Sequence, residues 1–248
     1  MTSARRVLVT GANRGLGLEL TRQFVAAGDQ VWAACRTPES AHELQGLGAK
    51  SVLALDLASE ASIHAAAAEV AANVDGLDVL VSCAGTDARA FGADDGERGP
   101  FDLGADVFTD VLRVNVTGPM VVTSAFLPLL RAAANAEGAD GSARPAKLVN
   151  ISSQLGSMEV AASIGRDTAY CVSKAGLNMY TVKSATELAG DNVAVVAVHP
   201  GWLRTDMGGE HADMSPEEAS EAIVSTITGL TMADSGRFMR WDGTDHPW

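Results

Sequence analysis

Six short runs of apolar residues, separated by longer helical patterns, constrain this chain more than any other feature. The runs are RRVLVT (5–10), QVWAAC (30–35), SVLAL (51–55), LDVLVS (77–82), AKLVNIS (146–152) and NVAVVAV (192–198). They lack the apolar–polar alternation of a strand with one wet face, so each reads as a strand covered on both sides. Helical patterns fall between them, near 15–27, 39–47, 59–73, 105–133, 167–189 and 216–230. SPEE at 215–218 marks a helix start, with a Ser cap, Pro at the first position and acids in the first turn. Strand–helix alternation of this kind predicts an α/β fold with a doubly wound, mostly parallel sheet of about seven strands flanked by helices.

Composition narrows the partners. The chain has 248 residues, 47% of them hydrophobic, which is enough to bury a core without disulfides or metals. Its net charge of −13 repels phosphate backbones, so no nucleic-acid partner is expected. Cys35, Cys83 and Cys171 are odd in number and widely spaced, which fits a reducing compartment. The N-terminus has no signal-peptide pattern, and no run approaches ~20 uninterrupted apolar residues. A cytoplasmic protein with no membrane partner is therefore expected. The histidines (His42, His64, His199, His211 and His246) show no metal-ligand spacing, so no metal is expected, and His199 reads as shaping the turn at Pro200. Residues 86–104 and 135–145 are Gly-rich and polar, and read as surface loops. No linker or internal repeat divides residues 1–248, so a single domain is expected.

The turn after the first strand points to a ligand. VLVTGANRGLGLEL places Gly11, Gly15 and Gly17 between a strand and a helix. Such a turn needs glycine for positive φ and for close approach of backbone N–H groups to a pyrophosphate, with the helix N-terminus adding positive charge. This reads as a Rossmann dinucleotide site. An acid ~20 residues beyond the glycines would favour NAD. Here uncharged Cys35 ends the second strand and Arg36 follows it, while Arg14 lies within the turn. Two guanidiniums and no acid suit the 2′-phosphate of NADP. Asp56, at the end of the third strand, is placed to accept from the adenine amino group.

A reacting constellation lies farther along. Tyr170 and Lys174 are four residues apart in a small-residue helix, and so share a face. An ammonium near a phenol can draw its pKa down from about 10 toward the working pH. The fifth strand runs into Ser152 and Ser153 at the carboxyl end of the sheet, where open α/β sheets bind ligands. Asn115 sits inside a long apolar helix with Gly118 and Pro119 just beyond it, which suggests a kink.

TGANRGLG, LDL, RVNVTG, NISS, YCVSK and HPGWLRTDM occur in one order across nearly the whole chain. In these motifs the chain resembles the short-chain dehydrogenase/reductases of about 250 residues. It looks closest to the carbonyl-reductase-like branch that includes the sniffer and C-factor proteins. The resemblance implies that Tyr170 is the proton donor to a ketone and that Lys174 tunes it and holds the nicotinamide ribose. It implies that Ser153 rather than Ser152 binds the substrate oxygen, and that Asn115 maintains the kink and a water leading to Lys174. Pro200, Gly201 and Thr205 would border the nicotinamide. Asn13, Leu16, Leu57, Ala84 and Gly85 complete the implied cofactor contacts. Trp202 and Met207, with Met214, would line the substrate under a lid near 202–215.

Two departures stand out. SCAG (82–85) replaces the family's frequent NNAG, and inserts near 86–104 and 155–166 lengthen the surroundings of the site. The expected function is an NADPH-dependent carbonyl reductase, acting in reverse as a secondary-alcohol dehydrogenase. An NAD-linked alcohol dehydrogenase and a low-turnover dinucleotide-binding regulatory protein are the alternatives. The expected partner is a small carbonyl or alcohol substrate, with a homo-oligomer compatible and a monomer equally so.

Overall fold

In the computed structural model, which describes residues 4–136 and 144–248, seven strands pair in parallel in the order β3-β2-β1-β4-β5-β6-β7. They are β1 (Arg6–Thr10), β2 (Gln30–Cys35), β3 (Ser51–Ala54), β4 (Val79–Ser82), β5 (Ala146–Ile151), β6 (Val193–His199) and β7 (Phe238–Arg240). The helices are α1 (Gly15–Ala26), α2 (His42–Gln45), α3 (Glu60–Ala71), α4 (Ala105–Leu112), α5 (Gly118–Ala134), α6 (Thr168–Glu187) and α7 (Pro216–Gly229). The first six strands fall on the apolar runs, with β6 extending one residue beyond its run to His199. β7 is three residues long, too short to stand out as a run, and it pairs Phe238–Arg240 with Ala197–His199. Strand order reverses between β1 and β4, so the crevice for a ligand opens at their carboxyl ends.

Successive strand residues face opposite sides of the sheet, and here both sides are dry. Val7 and Val9 of β1 join a core with Leu20, Phe24, Ile223 and Ile227 from α1 and α7. Leu8 joins the opposite core with Ile63, Val70, Phe126 and Leu130 from α3 and α5. Truncating a fully buried Phe such as Phe126 to Ala would cost about 3–5 kcal/mol. Lys147 on β5 is buried too. Its Nζ donates to the Ile227 and Thr228 carbonyls at the end of α7, at 2.7 and 2.9 Å, and burial pushes its pKa down to about 8.

The helical patterns hold with two adjustments. Residues 39–47 form a 3₁₀ turn at Pro38–Ser40 and the four-residue α2. The long pattern near 105–133 becomes α4 and α5 joined through a π-helical turn at Arg113–Thr117, where a kink was expected. The continuous helix 105–134 is long and apolar enough to cross a membrane by length and composition, which run length alone did not anticipate. Its Val122, Phe126 and Leu130 face the sheet core. The SPEE start is a full capping box, with reciprocal bonds between Ser215 and Glu218. Residues 137–143 of the second expected loop lie outside the described residues.

Candidate active site

Gly11 and Gly15 hold φ of +69° and +53° in the turn after β1. A Cβ on Gly17 would lie 2.2 Å from the Gly11 carbonyl oxygen, and one on Gly11 would lie 2.7 Å from Ala84 Cα. The turn therefore closes on itself and on the end of β4 in a way no side chain permits. Asn13 lies in this turn, and Leu16 is buried under the first turn of α1. That helix starts with no side-chain cap and no acid in its first turn. Its unpaired N–H groups and dipole fit a pyrophosphate. SCAG is held through its backbone: Thr10 Oγ1 accepts from the Cys83 and Ala84 N–H groups at 3.1 and 3.2 Å.

The residues expected to select the nucleotide lie toward the carboxyl ends of β1–β3. Arg36 is exposed at the end of β2, Asp56 Oδ1 accepts from Ala58 N–H at 3.0 Å, and Leu57 is buried. Arg14 is paired with Asp206 of the 202–215 segment at 2.6 Å, both side chains mostly exposed. Beside this pair Thr205 overlies the turn: a Cβ on Gly15 would sit 3.3 Å from its methyl group.

The two serines after β5 separate cleanly. Ser152 is buried, and its hydroxyl donates to Asn178 Oδ1 at 2.6 Å. Ser153 Oγ accepts from Leu155 N–H at 3.1 Å, which leaves its O–H to donate elsewhere. On α6, Lys174 Nζ lies 5.6 Å from the Tyr170 ring centre and donates to the Ile151 carbonyl at 2.8 Å. Asn115, in the π turn, is fully buried. It exchanges bonds with the Thr86 backbone at 2.8 and 2.7 Å and donates to Ser173 Oγ at 2.9 Å. Ser173 in turn donates to the Tyr170 carbonyl. Gly85 is where these elements converge. A Cβ there would stand 3.4 Å from Asn115 Oδ1 and 3.5 Å from Lys174 Nζ.

Burial dominates the electrostatics. It pushes the Lys174 pKa down to about 8, with the neighbouring Cys83 acting in the opposite direction. The Cys83 thiol is itself pushed up to about 12. The Tyr170 phenol is raised above its ordinary value by burial, pulled back by a hydrogen bond with Ser153 and raised further by Asp87. Among the protein groups the largest effect on the phenol is desolvation of its phenolate; the Lys174 ammonium lies over the ring face and spends a donor on Ile151.

Sequence reasoning did not identify the groups that brace this site. Asn178 continues the Tyr170–Lys174 face by another four residues, a spacing that offered a signal. Arg98 offered none. It crosses from the 86–104 insert to pair with Asp167 at 2.9 Å, and its carbonyl accepts from Thr168 N–H at 3.1 Å, at the start of α6. Arg89 of the same insert bonds Asp87 and donates to the Met207 carbonyl at 2.8 Å. In the 202–215 segment, which follows Pro200 and Gly201 at the end of β6, Trp202 Nε1 donates to the Gly208 carbonyl at 2.8 Å. Trp202 and Met207 stay half exposed. Among the described residues no cluster of three or more His, Cys, Asp or Glu side chains is placed to hold a metal.

Known proteins are similar to this chain in sequence and in fold. The chain is 32% identical over 246 residues to 1-hydroxy-2-glutathionyl-2-methyl-3-butene dehydrogenase of Rhodococcus sp. strain AD45, covering 98% of this chain and 99% of the relative. The NADPH-bound carbonyl reductase from chicken fatty liver superposes with a TM-score of 0.88 at 32% identity, over 99% of both chains. The carbonyl reductase Sniffer of D. melanogaster superposes with a TM-score of 0.84 at 31% identity, over 99% of this chain and 100% of that one. A family model described as short chain dehydrogenase matches residues 5–216, and this chain is accordingly an oxidoreductase of the short-chain dehydrogenase/reductase family.

Proposed function

We propose that this oxidoreductase is an NADPH-dependent carbonyl reductase that converts a small ketone or aldehyde to an alcohol, with Tyr170 as proton donor. The observation that carries the reading is the convergence of Ser153, Tyr170, Lys174 and Asn115 at the same carboxyl end of the sheet as the glycine turn. The NADPH bound to the chicken carbonyl reductase supports the same cofactor here.

The turn of Gly11, Asn13, Gly15, Leu16 and Gly17 would hold the pyrophosphate, with Arg14 and Arg36 on the 2′-phosphate and Asp56 with Leu57 at the adenine. Ala84, Gly85, Lys174, Pro200, Gly201 and Thr205 would surround the nicotinamide half. A bound reduced nicotinamide supplies hydride. Ser153, whose O–H is left to donate, would bind the substrate oxygen where negative charge develops. Burial keeps the Tyr170 phenol protonated at neutral pH, which suits a proton donor. The Ser153 bond and the buried Lys174 ammonium would then steady the phenolate that remains. Asn115 keeps the π turn, the β4 loop and α6 in register through Thr86 and Ser173.

The test is NADPH oxidation by the purified protein against ketones, aldehydes, diketones and quinones, with NADH alongside. Tyr170→Phe should lose about 10²–10⁴-fold in kcat while still binding NADPH. Turnover that survives in Tyr170→Phe, or a preference for NADH, would overturn the corresponding part of the reading.

A further inference from the structure

Ser153 opens a tight turn. Leu155 N–H donates to Ser153 Oγ at 3.1 Å, Gly156 N–H to the Ser153 carbonyl at 2.9 Å, and Ser157 N–H to the Gln154 carbonyl at 3.0 Å. On one side the turn is pressed against the helix that carries Tyr170 and Lys174. A Cβ on Gly156 would lie 2.7 Å from the Lys174 carbonyl carbon, and the Gly156 carbonyl accepts from Asn178 Nδ2 at 3.2 Å.

The other side is tied to β7 through Ser157, which is buried. Its hydroxyl donates to the Trp248 main-chain oxygen at 3.1 Å and accepts from Val160 N–H at 3.1 Å. Glu159 N–H donates to the same Trp248 oxygen at 3.3 Å. Two donors of the 155–166 insert therefore meet one acceptor, which lies 91 residues beyond Ser157 in the chain. Trp248 is itself held on β7. Its ring packs on that of buried Phe238, with centres 5.3 Å apart. His246 N–H donates to the Phe238 carbonyl at 2.9 Å and Arg240 N–H to the Thr244 carbonyl at 2.8 Å, so residues 244–248 fold back along β7. Arg237 Nε fixes the same stretch by donating to Asp245 Oδ1 at 2.8 Å. The Trp248 ring stays 43% exposed, so truncating it opens this contact without emptying the core.

We propose that Ser157 and Trp248 are positioning residues for the reaction: they tie the turn after Ser153 to β7 and so hold the Ser153 hydroxyl toward the substrate oxygen. This rests on the reading of Ser153 as the group that binds that oxygen. A donor of this kind works only when its direction is fixed before the substrate arrives. The local turn bonds set the shape of the turn, and the Trp248 contact sets where it lies.

Two readouts test this, and the first needs no substrate. Amide hydrogen exchange at positions 156 and 157 should quicken about tenfold or more in Trp248→Ala and in Ser157→Ala, at a temperature where both remain folded. Trp248→Phe, which keeps a ring on Phe238, should stay near wild type. Unchanged exchange in both Ala variants overturns the proposal. The second readout is NADPH oxidation. Each Ala variant should lower kcat about tenfold with NADPH affinity unchanged. Trp248→Phe should keep the wild-type rate. In a Ser153→Ala background the same two changes should lower kcat no further, because no hydroxyl is left to hold. Unchanged kcat in the single variants, or an equal further loss beside Ser153→Ala, overturns the positioning role. If Ser157→Ala does not fold, Trp248→Ala and Trp248→Phe decide both readouts. A wild type that reduces no carbonyl overturns the carbonyl-reductase reading and the positioning role together. Normal turnover in the wild type with slow exchange and full kcat in the Ala variants overturns the positioning role alone.

Discussion

Ser152 and Ser153 are chemically identical neighbours, and their surroundings give them different work. Ser152 closes a buried bond to Asn178, which in turn holds the Gly156 carbonyl. Ser153 keeps its O–H beside Tyr170. Ser152→Ala should therefore cost about 1–3 kcal/mol, because Asn178 Oδ1 is left buried and unpaired, and should spare most of the NADPH oxidation. Ser153→Ala should do the reverse: a Tm lowered only by the loss of the Leu155 N–H acceptor, and a kcat lower by about 10²–10³-fold. Thermal melts and steady-state rates on the two variants check this. The pair was legible in the sequence as two serines at a strand end, and only the resemblance chose between them. The reason for the choice, Asn178, lies 26 residues away across a tertiary contact.

The 86–104 insert acts as a brace for two other elements. Through Arg98 it holds Asp167, whose φ of +60° is a left-handed conformation that a non-glycine residue adopts at a cost, just before α6 delivers Tyr170. Arg98→Ala should lower kcat roughly 10- to 100-fold by loosening that helix start, with NADPH affinity unchanged. Equal kcat for wild type and variant would show that the clamp is only structural. The 202–215 segment, held at Met207 by Arg89, is also held one residue earlier, by Arg14–Asp206. If Arg14 binds the 2′-phosphate, Asp206 competes for it, and an exposed pair of this kind is worth about 0–1 kcal/mol. Asp206→Asn should then tighten NADPH up to about fivefold and leave NADH unchanged, measured by titration of cofactor fluorescence. The glycine spacing revealed the turn, but no spacing rule reveals a partner 192 residues away.

For the whole molecule, acid stability should follow His199. Burial pushes its pKa down to about 3, with His246 and Arg240 adding to the effect. The unfolded chain takes up that proton near pH 6.5, and the folded chain only near 3. Protons favour the unfolded state across this window, so stability contributed by neutral, buried His199 is lost progressively as pH falls from about 6.5 toward 3. Urea unfolding at pH 7 and pH 4.5 should show a smaller loss for His199→Phe than for wild type. An equal loss would assign the acid sensitivity to other groups.

The sequence by itself determined the parallel α/β sheet, the glycine turn and the Tyr170–Lys174 face, because each is written in local periodicity: apolar runs, a strand–turn–helix and an i,i+4 pair. The capping box at Ser215 was legible for the same reason. Only the tertiary structure decided how Asn115 is used, which serine is turned toward Tyr170, that Asp206 meets Arg14, and that His199 is buried beside His246. These depend on contacts between residues far apart in the chain. Burial, which raises the Tyr170 phenol above its ordinary value, likewise exists only after the sheet and helices have packed.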